Sequence, residues 1–178
     1  MPVLAAAALL LVAVPAVAKD EGHCAARLEQ MDGEASAQVV ELGCFPTYAE
    51  ALAAGSEGAI ALRTDETPAS ITEAEVEAAT DPMASSVVIG TEYNETQYNG
   101  TSKSYFADAT CSASVGWDVS YVGDTWNDRF ESGKGFGGCD HNRKFAASQF
   151  GGSSVLCTPN CTSYGSLNNE ISSLRWRD

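Results

Sequence analysis

The sequence predicts a mainly β protein, a sandwich of two Greek-key motifs preceded by a small mixed α/β N-terminal region. Three observations predict it. Composition changes near residue 84: residues 19–84 carry 14 acidic and 3 basic residues, whereas residues 85–178 carry 10 and 7, with all three Trp and most of the Tyr and Phe. Short runs rich in Val, Tyr, Phe and Trp then alternate with Gly, Asn, Asp and Ser clusters, the pattern of successive short strands and turns. Finally, a hairpin pattern and a second element after it both occur twice, in the same order.

Taken in order, residues 1–18 are nearly all Ala, Leu and Val and end in Ala16-Val17-Ala18 before Lys19-Asp20-Glu21. A short apolar run with a small-residue cleavage pattern reads as a secretory signal peptide, here without the usual positive start. The expected domains are therefore a signal peptide (1–18), an acidic N-terminal region (19–84) and a Greek-key domain (85–178). The expected localisation is secreted, with no membrane contact after cleavage. Within 19–84, residues 24–29 and 38–45 read as strands and residues 46–54 as a helix that Gly55 ends. Residues 59–62 read as a further strand, and 72–76 as a short helix within a Thr-, Glu-, Ala- and Pro-rich linker. The β runs of the second part are 86–93, 102–107, 115–122, 143–150, 154–157 and 172–177.

The charge and the cysteines narrow the function. A net charge of −14 leaves no basic surface for nucleic acid or for an anionic membrane. The 44% hydrophobic content is enough for a packed core, which excludes disorder throughout. Six cysteines in an exported chain read as disulfides. They allow many pairings; proximity along the chain favours Cys24–Cys44 and Cys157–Cys161, leaving Cys111–Cys139. A zinc site is the alternative, weakened by the lack of any Cys-x-x-Cys pair.

The repeat is the most specific signal. Tyr93 to Gly100 reads aromatic, four residues, aromatic, one residue, Gly, and Phe145 to Gly152 repeats it. Two aromatics five apart can face each other across a folded hairpin, and the Gly supplies a backbone position with positive φ. Further along each half lies a polar element: Asn127-Asp128-Arg129-Phe130-Glu131-Ser132 and Asn168-Asn169-Glu170-Ile171-Ser172-Ser173. Each repeat then reads as a four-stranded Greek key, and the two pack face to face.

These two elements together resemble the βγ-crystallin superfamily, whose signature is such a hairpin followed by an (Asn/Asp)-(Asn/Asp)-x-x-(Ser/Thr)-Ser clamp. The exported, disulfide-bearing context is similar to the bacterial members, which include secreted metalloproteinase inhibitors. The resemblance implies Ca²⁺ as the cofactor, shared between side chains of one clamp and backbone carbonyls of the other. Carried over, Asn168 or Asn169 and Ser172 are side-chain ligands, and Glu170 and the hairpin residue Glu95 give carbonyls, with Ala147 the counterpart of Glu95. In the first clamp, Asn127, Asp128 and Arg129 hold the matching positions. Glu131 stands where Ser or Thr is expected, so its carboxylate either coordinates, overreaches, or pairs with Arg129. Short oxygen-bearing side chains at a turning backbone suit an ion that takes six to eight oxygens at about 2.3–2.6 Å.

Other motifs carry less. Gly133 to Gly138 matches G-x-G-x-x-G, but no helix follows to bind a phosphate, and it reads as a flexible connector between the keys. His141 beside Asp140 lacks a nucleophile elbow, so no catalytic residue is expected and the protein reads as non-enzymatic. Asn94, Asn99 and Asn160 open glycosylation sequons. The expected function is a secreted Ca²⁺-binding module. The alternative is a protease inhibitor that presents Cys157 to Tyr164 as a rigid stapled loop to a secreted protease. A third reading is an adhesion surface using exposed Tyr and Trp.

Overall fold

The computed structural model describes residues 22–178 apart from Asp32 and Glu34; the expected signal peptide lies outside the described residues. β1 (His23–Glu29) and β2 (Gln38–Phe45) form an antiparallel hairpin in which Cys24 stands opposite Cys44. Two short helices follow, α1 (Tyr48–Gly55) and α2 (Glu73–Ala79). Each starts at a reciprocal cap: Thr47 with Glu50, and Thr72 with Glu75, satisfy each other's backbone N–H groups. α1 ends at Gly55, which is its last helical residue, and the ring of Phe106 lies where a Cβ of Gly55 would stand. The strand expected over residues 59–62 reduces to one bridge, Ile60 to Thr80.

The first Greek key comprises β3 (Val87–Tyr93), β4 (Ser102–Ala107), β5 (Trp117–Val119) and β6 (Ser132–Gly135). The second comprises β7 (His141–Ala147), β8 (Gly151–Cys157), a bridge at Cys161 and β9 (Ser173–Arg177). Third strands are exchanged between the sheets. β5 leaves the first key to pair with β9, giving the order β5-β9-β7-β8, while Cys161 bridges to Gly133 beside the other sheet. That other sheet has the order β2-β1-β4-β3-β6, because β1 adds in parallel to the edge of β4. Residues 133–138 are therefore not the flexible connector the sequence suggests. Their first three residues lie in β6, which takes its hydrogen bonds from β3.

Two cores hold these layers. Between the sheets lie Ile89, Tyr105, Trp117, Val119, Phe130, Leu174 and Trp176, all buried. On the outer face of the first sheet, Val88, Phe106 and Phe136 are covered by Tyr48, Leu52, Ile60, Ile71 and Val76 of the N-terminal region. Disulfides join Cys24–Cys44, Cys111–Cys139 and Cys157–Cys161, so no cysteine is left as a thiolate for zinc. All three Trp are buried, which removes the exposed Trp that the adhesion reading required.

One charged pair sits inside the sandwich. Glu92 on β3 and Lys144 on β7 are wholly buried and form an ion pair, and Tyr164 donates its hydroxyl to the second oxygen of Glu92. The two residues are 52 apart, the spacing of the repeat, so each is the other's counterpart in its own key. Gly133 leaves the space that Tyr164 and Glu92 fill; a Cβ there would run into both. Burial, then the Glu92 charge, pushes the Tyr164 phenol well above its usual range and keeps it a donor.

A second buried lysine ties the linker down. Lys134 on β6 donates to the carbonyls of Pro68 (2.7 Å) and Ile71 (2.6 Å), and its ammonium lies 4.5 Å from the ring centroid of Tyr98. Burial lowers its pKa from 10.5 to about 8, partly opposed by Glu75. The folded chain thus releases this proton near pH 8 and the unfolded chain only near 10.5, so the unfolded state holds more protons in between. Stability from this group should rise over that window. The stability of the wild type relative to Lys134→Met is expected to grow from pH 8 to 10.5 at fixed ionic strength; a flat difference in denaturant titrations contradicts it.

Candidate metal centre

The two hairpins share one geometry. The rings of Tyr93 and Tyr98 meet edge to face with centroids 5.7 Å apart, and those of Phe145 and Phe150 at 5.6 Å. Between the aromatics the backbone turns left-handed: φ is 58° at Gln97, 64° at Tyr98 and 73° at Gly100, against 54° at Gln149, 61° at Phe150 and 74° at Gly152. For a residue with a Cβ this conformation costs roughly 1–2 kcal/mol, so something must hold Tyr98 and Phe150 in it. The last serine of each clamp does so. Ser132 Oγ accepts from the Tyr98 N–H (3.0 Å) and donates to the Glu95 carbonyl (2.6 Å). Ser173 Oγ accepts from the Phe150 N–H (3.0 Å) and donates to the Ala147 carbonyl (2.7 Å). Sequence reasoning missed this role, although the signal was present in the final Ser of both clamps.

Each clamp is also tied to its own first strand and to the other clamp. The Glu131 N–H donates to the Tyr93 carbonyl (2.8 Å) and the Ser172 N–H to the Phe145 carbonyl (2.9 Å). Across the pseudo-twofold, the Asp128 N–H donates to the Ile171 carbonyl (3.1 Å) and the Asn169 N–H to the Phe130 carbonyl (2.9 Å). Asp128 and Asn169 both turn left-handed, with φ of 58° and 59°, a conformation that Asp and Asn tolerate better than most residues.

The expected ligands fall into two groups. Brought together across the clamps are Glu131 and Asn169, whose amide donates to the Glu131 carboxylate. The equivalent bonds place Asp128 in the same register relative to Ser172. Ser172 itself is buried and donates to the Ala146 carbonyl (3.2 Å). The Glu95 and Ala147 carbonyls each receive one serine hydroxyl, and a carbonyl oxygen has a second lone pair for another partner.

The remaining residues are directed elsewhere. Asn168 Oδ1 accepts from the Tyr164 N–H (2.9 Å) and the Ser163 hydroxyl (3.1 Å), so it closes the loop before the clamp. Asn127 donates to Asp128 (2.6 Å), while its own Oδ1 is buried without a hydrogen-bond partner in the structure. Arg129 sets its guanidinium 5.5 Å from the Trp126 ring centroid and donates to the Thr125 carbonyl (3.2 Å). The Glu170 side chain is exposed.

The donor set fits a hard cation. It consists of carboxylate, amide, hydroxyl and carbonyl oxygens drawn from both repeats at two related places. Among the described residues no cluster of three or more His, Cys, Asp and Glu side chains could hold a metal, so any ion here relies on neutral oxygens as much as on charge.

The exchanged third strands, the two serine-locked hairpins and the cross-tied clamps define the class: a sandwich of two Greek keys related by a pseudo-twofold. This is the architecture that the resemblance of the two repeats to the βγ-crystallin superfamily implies. Among solved structures, the chain is similar to a βγ-crystallin from an archaeon, with 24% identity over 51% of this chain and 98% of that one, at a TM-score of 0.37. It is similar to a βγ-crystallin domain from Flavobacterium johnsoniae (20% identity, 49% and 92% covered, TM-score 0.35). A βγ-crystallin domain from Clostridium beijerinckii is likewise similar (18% identity, 50% and 97% covered, TM-score 0.37). No family model and no curated protein matches the chain.

Proposed function

We propose that the protein is a secreted, non-catalytic module that binds Ca²⁺ through its paired clamps. The observation that carries this reading is the exchange of backbone hydrogen bonds between Asp128 and Ile171 and between Asn169 and Phe130, which sets oxygen donors from both repeats side by side twice. Glu131 and Asn169 would hold one ion, and Asp128 and Ser172 the other, with the carbonyls of Glu95, Arg129, Ala147 and Glu170 completing the shells. The bound ion would neutralise the carboxylates and bridge the two keys. Because the hairpins are locked by Ser132 and Ser173 and not by the ion, the apo protein stays folded. Export is supported by the three disulfides; no helix among the described residues is long and apolar enough to cross a membrane.

If Ca²⁺ binds the folded chain and not the unfolded one, it adds about 2.7 kcal/mol at a hundred times Kd. The expected result is a higher Tm in millimolar Ca²⁺ than in chelator. Equal melting temperatures would mean that the clamps are turns only.

One observation favours the inhibitor reading as a second function. The loop closed by Cys157–Cys161 is held to the sheet from inside: the buried Asn142 amide donates to the Pro159 carbonyl, and Asn160 Oδ1 accepts from the Gly135 N–H (3.1 Å). Thr158, Thr162 and Ser163 stay exposed on this fixed frame. Inhibition assays of the full chain against secreted metalloproteases test it.

A further inference from the structure

The two clamps differ in where they keep their negative charge, and pairing across them cancels the difference. At the second and fifth places the first clamp has Asp128 and Glu131, both carboxylates; the second has Asn169 and Ser172, neither charged. Followed along the chain, both carboxylates at these two places lie in the first clamp. Followed across the pseudo-twofold, the distribution is even. The Asn169 amide donates to Glu131, and the matching backbone bonds place Asp128 at the equivalent position opposite Ser172, whose hydroxyl donates to the Ala146 carbonyl. Each cross-clamp pair thus has one carboxylate and one neutral side chain.

We infer that Glu131 is the charged ligand of its site and takes over the role that an acid at position 169 would otherwise have, so that the two sites carry equal charge with the carboxylate contributed from opposite positions. This inference rests on the calcium reading above. Calcium affinity depends on the charge count of the ligands, and a site built from Asn169, a serine and carbonyls would offer the ion no charge at all. The longer glutamate does not overreach. It is already in contact with the second-place side chain of the other clamp, and Arg129 is engaged with Trp126 and Thr125. A half-turn of the Asn169 amide exchanges Nδ2 for Oδ1 at the same place, and the two atoms differ in the hydrogen-bond pattern they make rather than in shape.

The test is calorimetric titration of the full chain with Ca²⁺, with Tm in chelator as the control for folding. Wild type is expected to bind two ions. Glu131→Ser and Glu131→Gln should each weaken one site on the order of tenfold or more, since a charge close to the ion is lost, and leave the other unchanged. Adding Asn169→Asp to Glu131→Ser should restore the second site, because the pair then matches Asp128 with Ser172. A purely structural role for Glu131 as acceptor of the Asn169 amide predicts no such rescue. Two ions bound as tightly by Glu131→Ser as by wild type, or a double variant with normal Tm in chelator and one site, would overturn the inference while leaving the calcium reading intact. No uptake by wild type would overturn both.

Discussion

Lys144→Met should destabilise the protein by about 3–5 kcal/mol, the usual effect of leaving one partner of a buried ion pair without the other. Glu92 and Lys144 are both wholly buried between the sheets, so the remaining carboxylate would be left out of water without its partner. Tyr164 would still donate to Glu92, so the loss should not exceed that range. The double variant Glu92→Gln with Lys144→Met should recover most of it, because replacing both charges removes the desolvation cost along with the attraction. In the double variant the Gln oxygen can still accept from Tyr164. Denaturant titrations of the two single variants and the double variant decide this. A Lys144→Met protein as stable as wild type would show that the pair contributes nothing, and a double variant as poor as the worse single would show that packing, not charge, is responsible. The pair also distinguishes the two keys: an acid at this place in one and a base in the other make the heterologous pairing of repeats the favourable one.

Residues 85–178 alone should fail to form a stable, cooperatively folded domain. In the full chain Phe106 and Phe136 are 0% and 1% exposed, under α1, α2 and the segment before α2. Exposing these two rings with Val88 forfeits about 1.5–3 kcal/mol for each side chain, against a total stability of about 5–15 kcal/mol for a domain. Removing β1 also opens the ladder from His23–Ser102 to Arg27–Phe106 and leaves β4 as a bare edge. Lys134 would lose its carbonyl acceptors at Pro68 and Ile71. The expected readouts are dye binding by exposed apolar surface, a broad thermal transition and association at micromolar concentration. A sharp transition within a few degrees of that of the full chain would contradict the expectation and mark residues 22–84 as an appendage.

Much of the candidate site was legible in the sequence because its signals are local. Aromatics five apart, a glycine needing positive φ, and an Asx-rich clamp each act over a few residues, and each repeat spells them out. The two helices were legible from their local composition, and the caps that start them, Thr47 with Glu50 and Thr72 with Glu75, are equally local. The strand β6 was not. Ser132 to Gly135 has no β-branched or aromatic residue, and it is a strand because β3 supplies its ladder and Tyr164 needs Gly133 to be small.

The repeats, the hairpin turns, the oxygen-bearing residues of the clamps and the disulfide partners nearest in the chain follow from backbone preference and short separations, and so are written in the order of residues. Which clamp residue faces which, that Glu131 meets Asn169 rather than Arg129, that Glu92 and Lys144 share one buried site, and that the N-terminal hairpin extends the first sheet come only with the assembled sandwich. These pairings join residues dozens of positions apart, and an acid or a lysine in a strand reads as solvent-facing until the sheet opposite it is in place. Their energies come from burial and from the partner's charge, neither of which exists until the two keys close on each other.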